Sequence, residues 1–396
     1  MLLVCPQERD LAAVEAAGLE ERYEVIPAGP DLDTAPWFDA VAYLADWADV
    51  HVDGVVGTKD RSTLLAALLA ERKRLPGPSL QALVACQHKP SSRALQRRVA
   101  PEATPAFATL DGTDELPMQP PFFVKPVVGR LSQGVATINS AADLRRVPWT
   151  SAYQCAYADL ARLVGLPPQA VRGLLAEELM SGAEVTLEGY SHGGRVTVIG
   201  VTDSVKYPGH ASFERFEYPT SLGPRRRAEL ERLTEKLIPA LGFDGGFFNI
   251  EFFVPAKGPA RIIEVNGRIA SQFAPLVQEL HGRSTYDALL ALACGDDPGW
   301  SAEEPDGVAI SYCVRVFEDS LVTGVPEPED GLELLVRPGE RLSEQRTNDV
   351  GSYRLAIFTE AGETRREAVE RCRARAAALR FELAPIERAE RAYALL

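Results

Sequence analysis

Residues 245–268, GGFFNIEFFVPAKGPARIIEVNGR, narrow what this chain can fold into more than any other stretch. Apolar and polar side chains alternate on either side of a break at Lys257-Gly258, which predicts two strands joined by a turn. With the strands paired symmetrically about that turn, Glu251 stands opposite Glu264 and Asn249 opposite Asn266, all four on one face. Phe252 then meets Ile263 and Ile250 meets Val265 on the other face, an apolar layer suited to a core. Arg268 closes the run. A chain that builds this hairpin must turn carboxylates, amides and a guanidinium toward something that compensates them, because such groups are costly to bury alone.

Directly opposed side chains lie roughly 4.5–5.5 Å apart at Cβ, and like charges there repel. Carboxylate and amide oxygens with no thiolate or imidazole nearby favour a hard cation, and magnesium completed by phosphate oxygens is the usual solution. Two other readings stay open at this point. One glutamate is protonated or paired with Arg268, or the register differs and the two never meet.

The rest of the chain supplies a setting. Short strands at 2–5, 23–28 and 52–57, with helical patterns at 8–18 and 61–75, suggest a small parallel α/β domain. In the second helix Asp60 is placed to cap, Leu64, Leu65, Leu68 and Leu69 form the apolar stripe, and Pro76-Gly77 end it. A helical stretch over 79–98 restarts at Lys89-Pro90, since proline suits a first helical turn. The proline-rich segment 101–121 carries the chain into another unit. PFFVKPVV and GVATINS read as a hairpin, 174–205 as three strands, and 225–241 and 284–294 as helices. From about 305 onward, strand-like VAISYCVRVF and YRLAIFTE and a last long helix imply an α+β terminal domain.

Lys125-Pro126 ends an apolar strand and is followed by VVGRLSQGV, where Gly129, Ser132 and Gly134 let backbone N–H groups approach anionic oxygens while the lysine adds a fixed charge. A surface hairpin with two glycines and a serine explains the same residues. LLAEELMSGAEVTLEGY, containing Glu177, Glu178 and Glu184, is an extended connector able to present backbone groups to an adenine edge and a carboxylate to ribose hydroxyls. An ordinary strand with solvated glutamates is the competing interpretation.

At 396 residues, 46% hydrophobic and 25% charged, the chain has ample core for two or three domains. Its formal charge of −14 argues against a general nucleic-acid or anionic-membrane surface. Six scattered cysteines without a CxxC pair fit a reduced, cytoplasmic protein. No signal peptide is visible, and no run approaches the ~20 apolar residues of a membrane span.

Taken together, KPxxGxxSxGV, the EEL/GxE segment and NIEFF…IIEVNGR resemble, in order and spacing, the ATP-grasp superfamily, in particular its carboxylate–amine ligases of the L-amino-acid ligase type. The similarity runs from about residue 50 to 300. It implies an N-terminal Rossmann-like pre-ATP-grasp α/β domain (1–100), a small lid subdomain (101–182), a large subdomain with the metal site (183–304) and an α+β C-terminal domain (305–396). The resemblance implies that Lys89 and Lys125 touch the ATP phosphates, that the loop from Gly129 through Ser132 to Gly134 lids them, that Glu177 and the backbone at Leu179 meet adenine, and that Glu184 holds the ribose. Glu251, Glu264 and Asn266 would bind Mg2+, as two ions for which Mn2+ could substitute. Arg268 would steady an acyl phosphate and the tetrahedral intermediate, with Lys125 the second catalytic cation. His88, before the first lysine, and Arg130-Leu131, in the lid, depart from the residues common in the family.

The activity so implied joins a small-molecule carboxylic acid to an amine through an acyl phosphate, with release of ADP and phosphate; a homodimer is a possible assembly. Glu188, Lys206, His210 and Glu214 follow the nucleotide segment and are candidates to line the substrate cavity. Two rivals belong to the same scaffold: a carboxylase or nucleotide-biosynthesis ligase, and a nucleotide-binding regulator without turnover.

Overall fold

The computed structural model describes residues 1–33, 38–110, 112, 115–130, 133–301, 304–345 and 351–386. Strands β1 (Leu2–Val4), β2 (Ile26–Ala28) and β3 (Val55–Gly57) form a parallel sheet in the order β2-β1-β3. Parallel neighbours need long crossovers, and the helices Glu8–Ala16 and Ala40–Asp46 lie in them. The helix Asp60–Lys73 follows β3 and buries Leu64, Leu65 and Leu69. Asp60 does not cap it: the capping position is Lys59, Ser62 Oγ accepts from the Thr58 and Lys59 N–H groups, and the Asp60 carboxylate points elsewhere. The next helices, Leu80–Gln87 and Lys89–Val99, break at His88 with Pro90 in the first turn of the second, as the proline requires.

An antiparallel sheet follows, in the order β4 (Phe107–Leu110), β7 (Leu174–Glu178), β5 (Phe122–Pro126), β6 (Ala136–Ile138). The β5–β6 pair is the expected lysine-bearing hairpin, and Gly134 in its loop has φ 71°, a left-handed conformation that favours glycine.

The largest sheet has eight strands: β12 (Arg261–Asn266), β11 (Gly246–Val254), β8 (Ala183–His192), β9 (Arg195–Lys206), β10 (Phe213–Tyr218), β13 (Val308–Val316), β16 (Tyr353–Gly362) and β15 (Leu332–Leu334), in that order. β14 (Ser320–Gly324) pairs with β17 (Glu382–Pro385). Because β13 bonds to β10, the boundary expected at 304/305 lies within a continuous sheet. One face of the sheet packs Val185, Leu187, Val201, Ile250, Phe252 and Val265 against the helix Pro224–Ala240.

The β11–β12 register matches Asn249 with Asn266, Ile250 with Val265 and Glu251 with Glu264, as alternation predicts. It then shifts. Phe252 pairs with Ile262 rather than Ile263, through a bulge after Glu251. An extra residue disrupts the ladder, and here the Ile263 carbonyl accepts from Arg93 Nη2 at 2.7 Å and Lys125 Nζ at 3.1 Å. Among the described residues, no helix is long and apolar enough to cross a membrane.

Candidate active site

Strand pairing lays the polar residues out as a grid. On β8, Glu184, Thr186 and Glu188 alternate onto one face; β11 sets Glu251 beside Thr186 and Asn249 beside Glu188, and β12 sets Glu264 and Asn266 beyond them. The Asn266 amide donates to Asn249 Oδ1 (2.9 Å) and Glu251 Oε1 (3.2 Å), so its own oxygen is the atom with lone pairs to offer a cation. Burial, then the facing Glu264 and nearby Glu184, push the Glu251 carboxyl up to about 7. A cation between the glutamates would relieve that repulsion. No group of three or more His, Cys, Asp or Glu side chains suited to a metal occurs among the described residues. Two carboxylates and an amide therefore fit a hard cation that draws its other oxygens from a bound ligand and water, the habit of magnesium.

Cations reach this row from the neighbouring sheet and helix. Lys89 Nζ lies 2.9 Å from Glu264 Oε1 and donates to the Gly129 carbonyl at 3.1 Å, tying the glycine loop to the metal candidate. Lys125 Nζ sits 2.8 Å from Glu177 Oε2, and Arg93 Nε 2.5 Å from Glu177 Oε1. All three side chains are buried. Burial alone would raise the Glu177 carboxyl, but Lys125 and Arg93 outweigh it and hold it near 2. Glu177, expected at adenine, thus spends both oxygens inside the protein as the anchor of Lys125. Leu179, in the connector between β7 and β8, is exposed.

Arg268 lies past Asn266, and its Nε is 2.6 Å from Asp60 Oδ1. Burial disfavours both charged forms, yet the pair holds the Asp60 carboxyl down and the guanidinium up. Nη1 donates to the Ile269 carbonyl, so Nη2 carries neither bond.

The departures have structural roles. His88 bonds Ser91 Oγ and the Ala170 carbonyl through its two ring nitrogens. Arg130 forms an ion pair with Asp33 and lies over the Tyr153 ring, as does Arg61, which joins the loop to the N-terminal unit. Ser132 and Leu131 lie outside the described residues.

Of the substrate candidates, Glu188 is in the row and buried. Lys206 pairs with Glu184 at 2.8 Å, between the Phe213 and Phe253 rings. His210 is exposed and stacks on Phe317 at 3.7 Å between ring centroids. Glu214 is not in the row: it accepts from Tyr312 and pairs with Arg215, and Tyr312 packs among Ala368 and Cys372 of the helix Arg365–Ala378. Sequence reasoning missed Arg93, Asp60 as the partner of Arg268, and Asp33. Each acts through a partner far along the chain, which local pattern does not reveal.

Two antiparallel sheets hold lysines and carboxylates against each other, behind a parallel α/β unit. Residues 118–275 match the family model described as an ATP-grasp domain, and the chain carries that domain. Among solved structures, it is similar to L-amino acid ligase from Bacillus licheniformis, with 18% identity, TM-score 0.76, and 97% of this chain and 98% of that one covered. It is also similar to phosphoribosylglycinamide synthetase from Anaerococcus prevotii (14%, TM-score 0.67, 96% and 98%). A third is the biotin carboxylase domain of Hydrogenobacter thermophilus 2-oxoglutarate carboxylase, in complex with MgADP, ADP and bicarbonate (17%, TM-score 0.69, 97% and 91%). At these identities the likeness is one of fold. Uncharacterized protein y4rH of Sinorhizobium fredii (strain NBRC 101917 / NGR234) is 25% identical over 309 residues, which span 73% of this chain and 60% of that protein.

Proposed function

We propose that the protein is an ATP-dependent ligase that joins a carboxylic acid, an amino acid or amino-acid-like acid, to an amine through an acyl phosphate. The observation that carries this is the single row running from Glu184 through the Glu251–Glu264 pair to Arg268, flanked by Lys89 and Lys125. A protein that only bound nucleotide would need the lysines but not a facing carboxylate pair followed by an arginine.

In this reading Glu184 receives the ribose, the connector at Leu179 the adenine, and residues 101–182 close over the nucleotide with the Gly129–Gly134 loop. Glu251, Glu264 and Asn266 hold magnesium, which when bound neutralises phosphate charge. Lys89 and Lys125 neutralise the rest and orient the γ-phosphate toward the substrate carboxylate. That carboxylate attacks the γ-phosphorus and ADP leaves; an amine then attacks the acyl carbon and phosphate leaves. Arg268, held by Asp60, offers Nη2 to the oxyanion. No enzyme nucleophile is needed.

A panel of carboxylic and amino acids, scored by phosphate release from Mg-ATP and by mass spectrometry of products, tests the proposal. Phosphate release is expected only with a particular acid and amine together, and to vanish in Glu264→Gln, which keeps shape and removes one charge. Wild-type-like turnover in that variant would refute it.

A further inference from the structure

Glu188 is a buried carboxyl, 3% exposed, that the scheme above leaves without a task. It stands on β8 opposite Asn249, two residues past Thr186, which faces Glu251. At about 3.3 Å per residue, it lies roughly 7 Å beyond the metal candidate on the side away from Glu184. Arg268 lies in the same direction along β12. The carboxyl is therefore at the end of the row where an acyl group and its attacking amine must meet.

The surroundings of Glu188 are built but incomplete. The loop after β12 folds back over the row: the Arg268 carbonyl accepts from Asn249 Nδ2 at 2.9 Å, and Ala270 N donates to Glu188 Oε1 at 3.1 Å. Among the described residues Glu188 Oε2 has no hydrogen bond. Facing charged and titratable groups are Arg268, whose guanidinium is already paired with Asp60, and the Tyr218 phenol, which meets His281 Nε2 at 2.8 Å. Burial outweighs Ala270 and Arg268 and pushes the Glu188 carboxyl up to about 8. Buried charges are ordinarily paired; here the missing cation is one a ligand could bring.

We propose that Glu188 receives the incoming amine: it binds the substrate's primary ammonium through Oε2 and takes one proton from it before the C–N bond forms. This rests on the ligase reading above. The ammonium N–H passes to Glu188, leaving a neutral amine and a neutral carboxyl. The amine lone pair then forms a bond to the acyl carbon, the C–O bond to phosphate breaks, and the departing phosphate takes the second amine proton. General-base help of this kind contributes about 10²- to 10⁴-fold.

The test compares two nucleophiles in Glu188→Gln, in which the side chain keeps its size and the amide oxygen can still accept from Ala270, so the melting temperature should not fall. One is hydroxylamine, largely unprotonated at neutral pH; the other is the amino acid that gives most amide product with the wild type. Hydroxamate formation should stay close to wild type, while amide formation falls at least about 100-fold and KM for the amino acid rises. An equal fall with both nucleophiles would make Glu188 a loop anchor and overturn the proposal, as would an unchanged rate with both. If the wild type itself forms neither hydroxamate nor amide with any acid in the panel, the ligase reading fails and takes this one with it.

Discussion

Replacing Glu177 with glutamine should destabilise the protein far more than a one-atom change suggests. The carboxylate is 1% exposed and binds Arg93 at 2.5 Å and Lys125 at 2.8 Å, both buried. Its carboxyl is held at about 2 instead of the usual 4.5. At 1.36 kcal/mol per pH unit, that depression corresponds to about 3 kcal/mol of stability. Stripping one partner from a buried ion pair costs about 3–5 kcal/mol, which agrees. A depressed carboxyl contributes fully above pH 4.5 and loses its contribution as the pH falls toward 2. The deficit of Glu177→Gln should therefore be complete at pH 7, lowering the melting temperature by roughly 5–15 °C, and should shrink below pH 4.5. Burial already lowers the Lys125 ammonium, so losing its carboxylate lowers it further and nucleotide affinity falls with stability. Removing Arg93 as well should cost less than the sum of the single changes, because the two share one carboxylate. Calorimetry and nucleotide titration of the three variants at pH 7 provide the check. A Glu177→Gln protein as stable as wild type, with unchanged nucleotide affinity, would refute the reasoning.

Other expectations follow from the same site. Asp60→Asn removes the charge that fixes Arg268, and should lower kcat more than tenfold while KM for ATP stays near wild type in steady-state assays. Because burial and Glu264 raise the Glu251 carboxyl to about 7, its contribution to stability in the metal-free protein is full below the usual 4.5 and is lost as pH rises through 7. Melting temperatures in EDTA should therefore drop between about pH 5 and 8. Either Mg2+ with nucleotide or Glu264→Gln should flatten that slope.

The facing glutamates were legible because a two-residue period puts both on the polar face of the hairpin; their direct pairing depends on the bulge, since the pairs nearer the turn are offset by one residue. The bulge at Ile263 was not, because what stabilises its freed carbonyl comes from Arg93 and Lys125, 170 and 138 residues away. Asp60 reads as a cap from its position before a leucine stripe; its pairing with Arg268 spans 208 residues and leaves no local signature. Glu177 was singled out from its place in the connector, but neither of its cations could be assigned from sequence, so a buried anchor looked like a ligand contact. The three parallel strands and the lysine hairpin were readable from alternation and glycine placement. The joining of β13 to β10 was not, since strand order in an antiparallel sheet is set by packing rather than by local pattern.

The most direct test of an acyl-phosphate ligase uses the active carboxylic acid labelled with 18O in its carboxyl group. If that carboxylate attacks the γ-phosphorus, mass spectrometry of the released phosphate will show one 18O per turnover, in step with amide formation. Phosphate released without the label while amide accumulates would mean that the acid is not activated through its own oxygen, and would contradict the account.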